Sequence, residues 1–229
     1  MELFSSAWLS ALLAIILIDL VLAGDNAIVI ALAARNLPSH LQKRAIVWGT
    51  VGAVVVRALM TMGVVWLLKI PGLMLVGGLG LVWIAYKLLV PADSGDEHHP
   101  MATTFWGAMK TIVIADALMG VDNVLGVAGA AHGAFDLVII GLLISVPIVV
   151  WGSTLVLKLV ERFPIIIYAG AAVLAYTAAH MVVSEPLLDS VFDASLVNRV
   201  LAHAVVIAGV LLAGRWAAQR HAHSTGSAT

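Results

Sequence analysis

A chain of 229 residues that is 62% hydrophobic, only 11% charged and of mean hydropathy +1.07 is not composed like a soluble domain, which carries about 25% charged residues. Its net charge of −1 leaves no basic surface for nucleic acid, and the absence of cysteine excludes disulfides, thiolate metal ligation and thiol catalysis. The composition is that of an all-α polytopic membrane protein.

Seven apolar stretches are long enough to cross a bilayer, which takes about 20 residues. They cover 5–34, 41–68, 71–90, 102–131, 136–158, 164–184 and 195–217. The first follows Met1 and Glu2 with no basic region, and its apolar run is too long for a cleavable signal, so it is expected to stay in the membrane. It carries DLVLAGDN at 19–26, and the second span holds Arg57 near its middle. After the third span comes the polar segment DSGDEHHP (93–100), and the fourth carries Lys110 and then DALMGVDN at 116–123. His180 lies on the sixth span and His203 on the seventh; beyond Trp216 the chain is small and polar, which reads as a disordered tail.

The two motifs are near copies, 97 positions apart. A second match, KIPGLMLVGGLGLVWIAYKLL (69–89) against RFPIIIYAGAAVLAYTAAHMV (162–182), aligns Pro71 with Pro164 and Gly77 with Gly170 at an offset of 93. Each unit then holds three spans. An odd number reverses direction, so the halves are expected to be inverted copies, a design whose ligand sites lie at the repeat interface in transporters. The division expected is a first three-helix repeat at 1–92, a polar cytoplasmic loop at 93–101, and a second, inverted three-helix repeat at 102–185. A seventh transmembrane helix at 186–218 and a disordered tail at 219–229 complete it.

Basic residues set the orientation. Arg35, Lys43, Arg44, Lys87, Lys158, Arg162, Arg215 and Arg220 fall on one side of this arrangement, and only Lys69 and Arg199 on the other. That is expected to place the N-terminus outside and the C-terminus in the cytoplasm.

An aspartate at the bilayer centre opposes insertion by roughly 2.5–3.5 kcal/mol. Asp19, Asp25, Asp116 and Asp122 together oppose it by roughly 10–14 kcal/mol, which points to a duplicated site for a positive charge. On a straight helix Asp19 and Asn26 share a face, while Asp25 sits roughly 120° from Asp19. Gly24 and Gly120 mark where each helix is expected to bend or unwind, freeing backbone carbonyls as ligands. Carboxylate, amide and carbonyl oxygens suit hard divalent cations: magnesium, calcium or manganese. The metal-ligand candidates are Asp19, Asp25, Asn26, Asp116, Asp122 and Asn123. Arg57 is either their counter-ion when no metal is bound or one half of a permanent ion pair.

The remaining polar residues have plainer readings. Lys110 can snorkel to the cytoplasmic interface. His180 and His203 read first as hydrogen-bonded core histidines, with titration during transport as the alternative. Asp93, Asp96, Glu97, His98 and His99 form either a solvated loop or a metal-sensing patch. The many glycines fit close helix packing.

LIDLVLAGDNAIVIALAARNLP (17–38) and IADALMGVDNVLGVAGAAHGAF (114–135) resemble the paired signature of the TerC/Alx family of integral membrane proteins, in its YjbE-like branch, within the broader lysine-exporter-like superfamily. The similarity covers about residues 5–185. The resemblance implies Mn2+ efflux from the cytoplasm, with the acidic motif residues falling on Asp19, Asp25, Asn26, Asp116, Asp122 and Asn123; the family's older association is with tellurite resistance. One departure stands out: Gly24 directly precedes Asp25, whereas Val121 precedes Asp122 and the glycine comes one position earlier. The two half-sites are therefore expected to differ.

The expectation is a non-enzymatic exporter that takes Mn2+ as its transported ion, with Ca2+ and Mg2+ as alternatives, and protons as the candidate coupling ion. Its partners are the lipid bilayer and the cation, and a homo-oligomer is left open. Two other classes compete: a membrane partner protein that aids metal loading of secreted proteins, and an exporter of an organic solute. An intramembrane aspartyl protease is disfavoured, because the chain has no YD…GxGD pair and no Pro-Ala-Leu element.

Overall fold

The computed structural model describes residues 5–67, 69–90, 104–131, 134–192 and 195–226, and all regular structure among them is helical. The first helix, α1 (Ser6–Ala34), starts where Ser5 caps it, the Ser5 hydroxyl accepting from the Trp8 N–H at 3.2 Å. It ends ahead of Pro38, which disfavours helix in the residue before it and opens α2 (Ser39–Met62). Gly63 closes α2, and a separate turn, α3 (Val64–Leu67), follows; the expected single span at 41–68 is thus interrupted. Gly72, in the left-handed region at φ +80°, turns the chain into α4 (Leu73–Leu89), a conformation that costs glycine nothing sterically.

The second half is helical as well. α5 (Phe105–Ala131), α6 (Phe135–Arg162) and α7 (Ile165–Val183) are followed by a 3-10 turn at Pro186–Leu188 and by the single turn α8 (Asp189–Phe192). The last helix, α9 (Leu196–Gly226), runs well past residue 219, where a disordered tail was expected. The reason is local: Ala217, Ala218, Gln219 and Arg220 are good helix formers, and extending an existing helix is far easier than starting one. The polar segment at 93–101, with Asp93, Asp96, Glu97, His98 and His99, lies outside the described residues.

Among the described residues, α2, α6, α7 and α9 are long and apolar enough to cross a membrane. α1 makes a fifth if its two parts, Ser6–Val21 and Ala23–Ala34, are taken together; they meet at a 45° bend. α4, at 17 residues, is shorter. The outer faces confirm the solvent. Leu9, Leu13, Leu17 and Val21 form a stripe at four-residue spacing on α1 that is 50–81% exposed, far more apolar surface than water tolerates.

α1 packs on α6 and α5, α2 on α5 and α6, and α4 on α7, with α9 against α7 and α4. Glycines allow the closest approaches. A Cβ on Gly49 of α2 would fall 2.7 Å from Ile112 of α5, and one on Gly141 of α6 would fall 2.6 Å from Ile15 of α1. At Gly78 of α4 the obstacle is backbone, the Ala178 carbonyl of α7 at 2.8 Å.

Candidate functional site

The site forms where α1, α2 and α5 meet. Asp19 sits just before the α1 bend, and Asp25 and Asn26 just after it. The bend expected at Gly24 is therefore present, two positions earlier, but α1 stays helical through it, and α5 is a single helix through Gly120. The freed carbonyls expected as ligands are not provided. Bending suffices here because it reorients Asp25 relative to Asp19 without breaking the backbone ladder.

Arg57 of α2 reaches into this junction and donates from one Nη to Asp19 Oδ1 and from the other to Asp116 Oδ1. Its guanidinium thus joins one carboxylate from each copy of the motif. All three are withdrawn from solvent: Asp19 is 2% exposed, Arg57 4% and Asp116 6%. Thr61, one turn beyond Arg57, donates its hydroxyl to the Arg57 carbonyl at 2.8 Å and fixes that turn.

Two carboxylates share one guanidinium, so the cluster is short of positive charge. Asp116 Oδ2, Asn26 Oδ1 and Arg57 Nε are buried and find no hydrogen-bond partner among the described residues. Asn26 and Asp116 line one small hollow with Ile112 and Met119, too tight to hold a water molecule. Buried acceptors left unpaired cost about 1–3 kcal/mol each, so these two oxygens are open to a donor or a positive charge. Asp25 is half-buried; its Oδ1 accepts from the Asn26 N–H at 2.8 Å, and it lies within electrostatic reach of Arg57 and Asp116.

Of the residues singled out in the sequence, the fold brings together Asp19, Asn26, Asp116 and Arg57, with Asp25 beside them. Asn123 is half-buried on α5, and the Asp122 side chain lies outside what is described. No group of three or more His, Asp or Glu side chains is arranged to hold a metal among the described residues, which leave out the Asp122 side chain; Arg57 stands between Asp19 and Asp116. Lys110 is exposed near the start of α5, away from the cluster. His180 of α7 and His203 of α9 stand with ring centroids 6.3 Å apart, also outside it.

Two buried polar residues escape the sequence reading. Thr50 of α2 lies seven positions before Arg57, on the same face, its buried hydroxyl without a partner among the described residues. Glu185, 2% exposed, accepts from the N–H groups of Gly72, Met74 and Leu75 at 3.0–3.3 Å. It caps the positive N-terminal end of α4 with a carboxylate from the far end of α7.

An all-helical membrane protein with a buried, duplicated acidic motif is the class that this fold and site define. The chain belongs to the TerC family: the profile of the "Integral membrane protein TerC family" matches residues 4–222. The uncharacterized membrane protein YjbE of Bacillus subtilis is 46% identical over 182 residues, covering 80% of this chain and 83% of the relative. The UPF0053 inner membrane protein YgdQ of Escherichia coli is 26% identical over 176 residues, 69% of this chain and 73% of its own. The uncharacterized membrane protein YkoY of Bacillus subtilis is 25% identical over 209 residues, 78% of this chain and 64% of its own. No solved structure matches the chain.

Proposed function

We propose that the protein exports a divalent cation, with Mn2+ the first candidate, through the junction of α1, α2 and α5, and that Arg57 is the resident cation which the metal displaces. The observation that carries this reading is the Arg57 guanidinium between Asp19 and Asp116. The fold itself places a positive charge between the two copies of the motif. The unpartnered Asn26 Oδ1 and Asp116 Oδ2 offer further oxygens at the same hollow, the ligand chemistry of a hard dication. Asp25, Asp122 and Asn123 complete the set by motif.

The reading takes the chain as seven membrane helices, six of them an inverted 3+3 repeat, with the N-terminus outside an inner membrane and the C-terminus in the cytoplasm. Exchange of the two units maps α1 onto α5, α2 onto α6 and α4 onto α7. The packing supports this. The α1–α6 contact has its counterpart in α2–α5, and α1–α5, α2–α6 and α4–α7 each map onto themselves. Gly49 against Ile112 is matched by Gly141 against Ile15, and Ile15 and Ile112 stand 97 positions apart, like Asp19 and Asp116.

Four carboxylates around one dication leave excess negative charge, which Arg57 or a proton on one Asp offsets, since close carboxylates resist ionising together. An inward proton gradient then drives the exchange outward.

The test is metal flux into proteoliposomes, wild type against Asp25→Asn and Asp116→Asn, with Mn2+ and then competing Ca2+ and Mg2+. Loss of Mn2+ flux in both variants is the expected result. Normal flux in either refutes that residue's assignment. No flux from folded, inserted wild-type protein moves the reading to a membrane partner protein, which the absence of a ready-made metal cluster among the described residues would then favour.

A further inference from the structure

Where α4 ends and α5 begins, two lysines on neighbouring helices face one groove. A cavity of about 120 Å3 is lined there by Trp83, Lys87, Gly107, Lys110 and Ile114 among others. Lys87 lies two residues before the end of α4 and Lys110 five residues after the start of α5. At 1.5 Å per residue both stand within roughly 8 Å of a helix end, the depth of lipid headgroups. Lys87 Nζ is held 4.1 Å from the centre of the Trp83 ring, and Trp83 is itself 54% exposed, the position of an interfacial aromatic anchor. Neither lysine is paired with a carboxylate among the described residues. The N-terminal end of α5 adds its own positive potential to the groove.

We infer that this groove binds an anionic phospholipid, its phosphate held by Lys87 and Lys110 and an acyl chain lying against Trp83 and Ile114. Charge complementarity selects the headgroup: basic pockets between transmembrane helices are suited to acidic lipids. The side of the groove selects a lipid over a soluble anion. Trp83 and Ile114, 54% and 42% exposed, open it sideways onto the apolar surface where lipid chains lie. The two ammonium groups also repel a dication, so the groove is separate from the Asp19–Arg57–Asp116 cluster.

The experiment is native mass spectrometry of the full chain in mild detergent, titrated with phosphatidylglycerol or with phosphatidylcholine. Three proteins are compared: wild type, Lys87→Gln/Lys110→Gln, and a control, Lys158→Gln/Arg162→Gln, that removes two charges from the far end of α6. Wild type and control are expected to prefer phosphatidylglycerol, and the first double variant to bind it roughly thirty-fold more weakly, the weight of two basic residues at an anionic surface. All four lysine and arginine positions are solvent- or lipid-accessible and not core, so the variants are expected to fold. Unchanged phosphatidylglycerol binding in Lys87→Gln/Lys110→Gln overturns the site. Equal binding of the two lipids by wild type reduces it to an apolar groove, and displacement of the lipid by millimolar inorganic phosphate makes it a soluble-anion site; either result overturns the inference.

Discussion

Replacing Arg57 with methionine tests the central cluster most directly. The change keeps an unbranched side chain of similar reach and removes the guanidinium that both Asp19 and Asp116 engage. Two carboxylates, 2% and 6% exposed, are then left buried without their counter-charge. Breaking a buried pair in this way is destabilising by about 3–5 kcal/mol. For a chain of this size each kcal/mol shifts the midpoint by roughly 2–4 °C, so a loss on the order of 6–20 °C is expected. Thermal unfolding in detergent, followed by intrinsic fluorescence, measures it. The triple variant Arg57→Met/Asp19→Asn/Asp116→Asn removes the charges together and should recover most of that loss, since uncharged replacements of buried ion pairs are often neutral or better. If Arg57 stands in for the metal, Mn2+ should also raise the midpoint of Arg57→Met more than that of wild type; at a hundredfold excess over its dissociation constant a bound ligand stabilises the variant by about 2.7 kcal/mol. An Arg57→Met protein as stable as wild type would refute the buried-pair argument. A destabilised Arg57→Met that Mn2+ does not rescue would leave the pair structural and sink the displacement mechanism.

Three further outcomes follow from other positions. Gly78→Ala drives a methyl group into the Ala178 carbonyl and should destabilise by about 1–3 kcal/mol, read as a lower unfolding midpoint, whereas Gly129→Ala, with open space around it, should be neutral. Glu185→Ala strips the cap from α4 and should lower stability by about 0.5–2 kcal/mol, with faster amide exchange at Met74 and Leu75 as the local signature. Mn2+ efflux from proteoliposomes should accelerate when the compartment receiving the metal is made acidic and should be insensitive to membrane potential if one metal exchanges for two protons.

Much of the site is legible before any coordinates. Asp19 and Asp116 announce themselves because a buried carboxylate opposes insertion unless something offsets it, and Arg57 follows because a lone guanidinium in the same apolar surroundings needs that partner. The pairing of one arginine with both halves at once is not legible: it depends on the α2–α5 and α1–α5 contacts, which no local pattern encodes. The bend is placed by Gly24 to within two residues, yet the matching Gly120 produces no break, because a glycine permits a bend and only packing makes one. Glu185 is invisible for a different reason. It sits among Ser184, Pro186 and the polar residues of an inter-span segment, where an acidic side chain usually means water. Its burial against Gly72, Met74 and Leu75 arises from residues more than a hundred positions earlier in the chain. The helix beyond residue 219 is missed because small and polar residues read as a tail, although Ala, Gln and Arg prolong a helix already under way.

The Glu185 cap also has a mechanical meaning. A single carboxylate fastens the segment after α7 to the first turn of α4, while Gly78 lets the two backbones touch further along. Fastened by Glu185 and interlocked at Gly78, α4 and α7 cannot slide past each other without stripping three amide hydrogen bonds together. With α9 packed on both, they form one group of helices, and the arginine-bridged cluster lies outside it, where α1, α2 and α5 meet. On the transport reading proposed above, the moving part is then α1, α2, α5 and α6, and a crosslink between α4 and α7 is expected to leave flux intact.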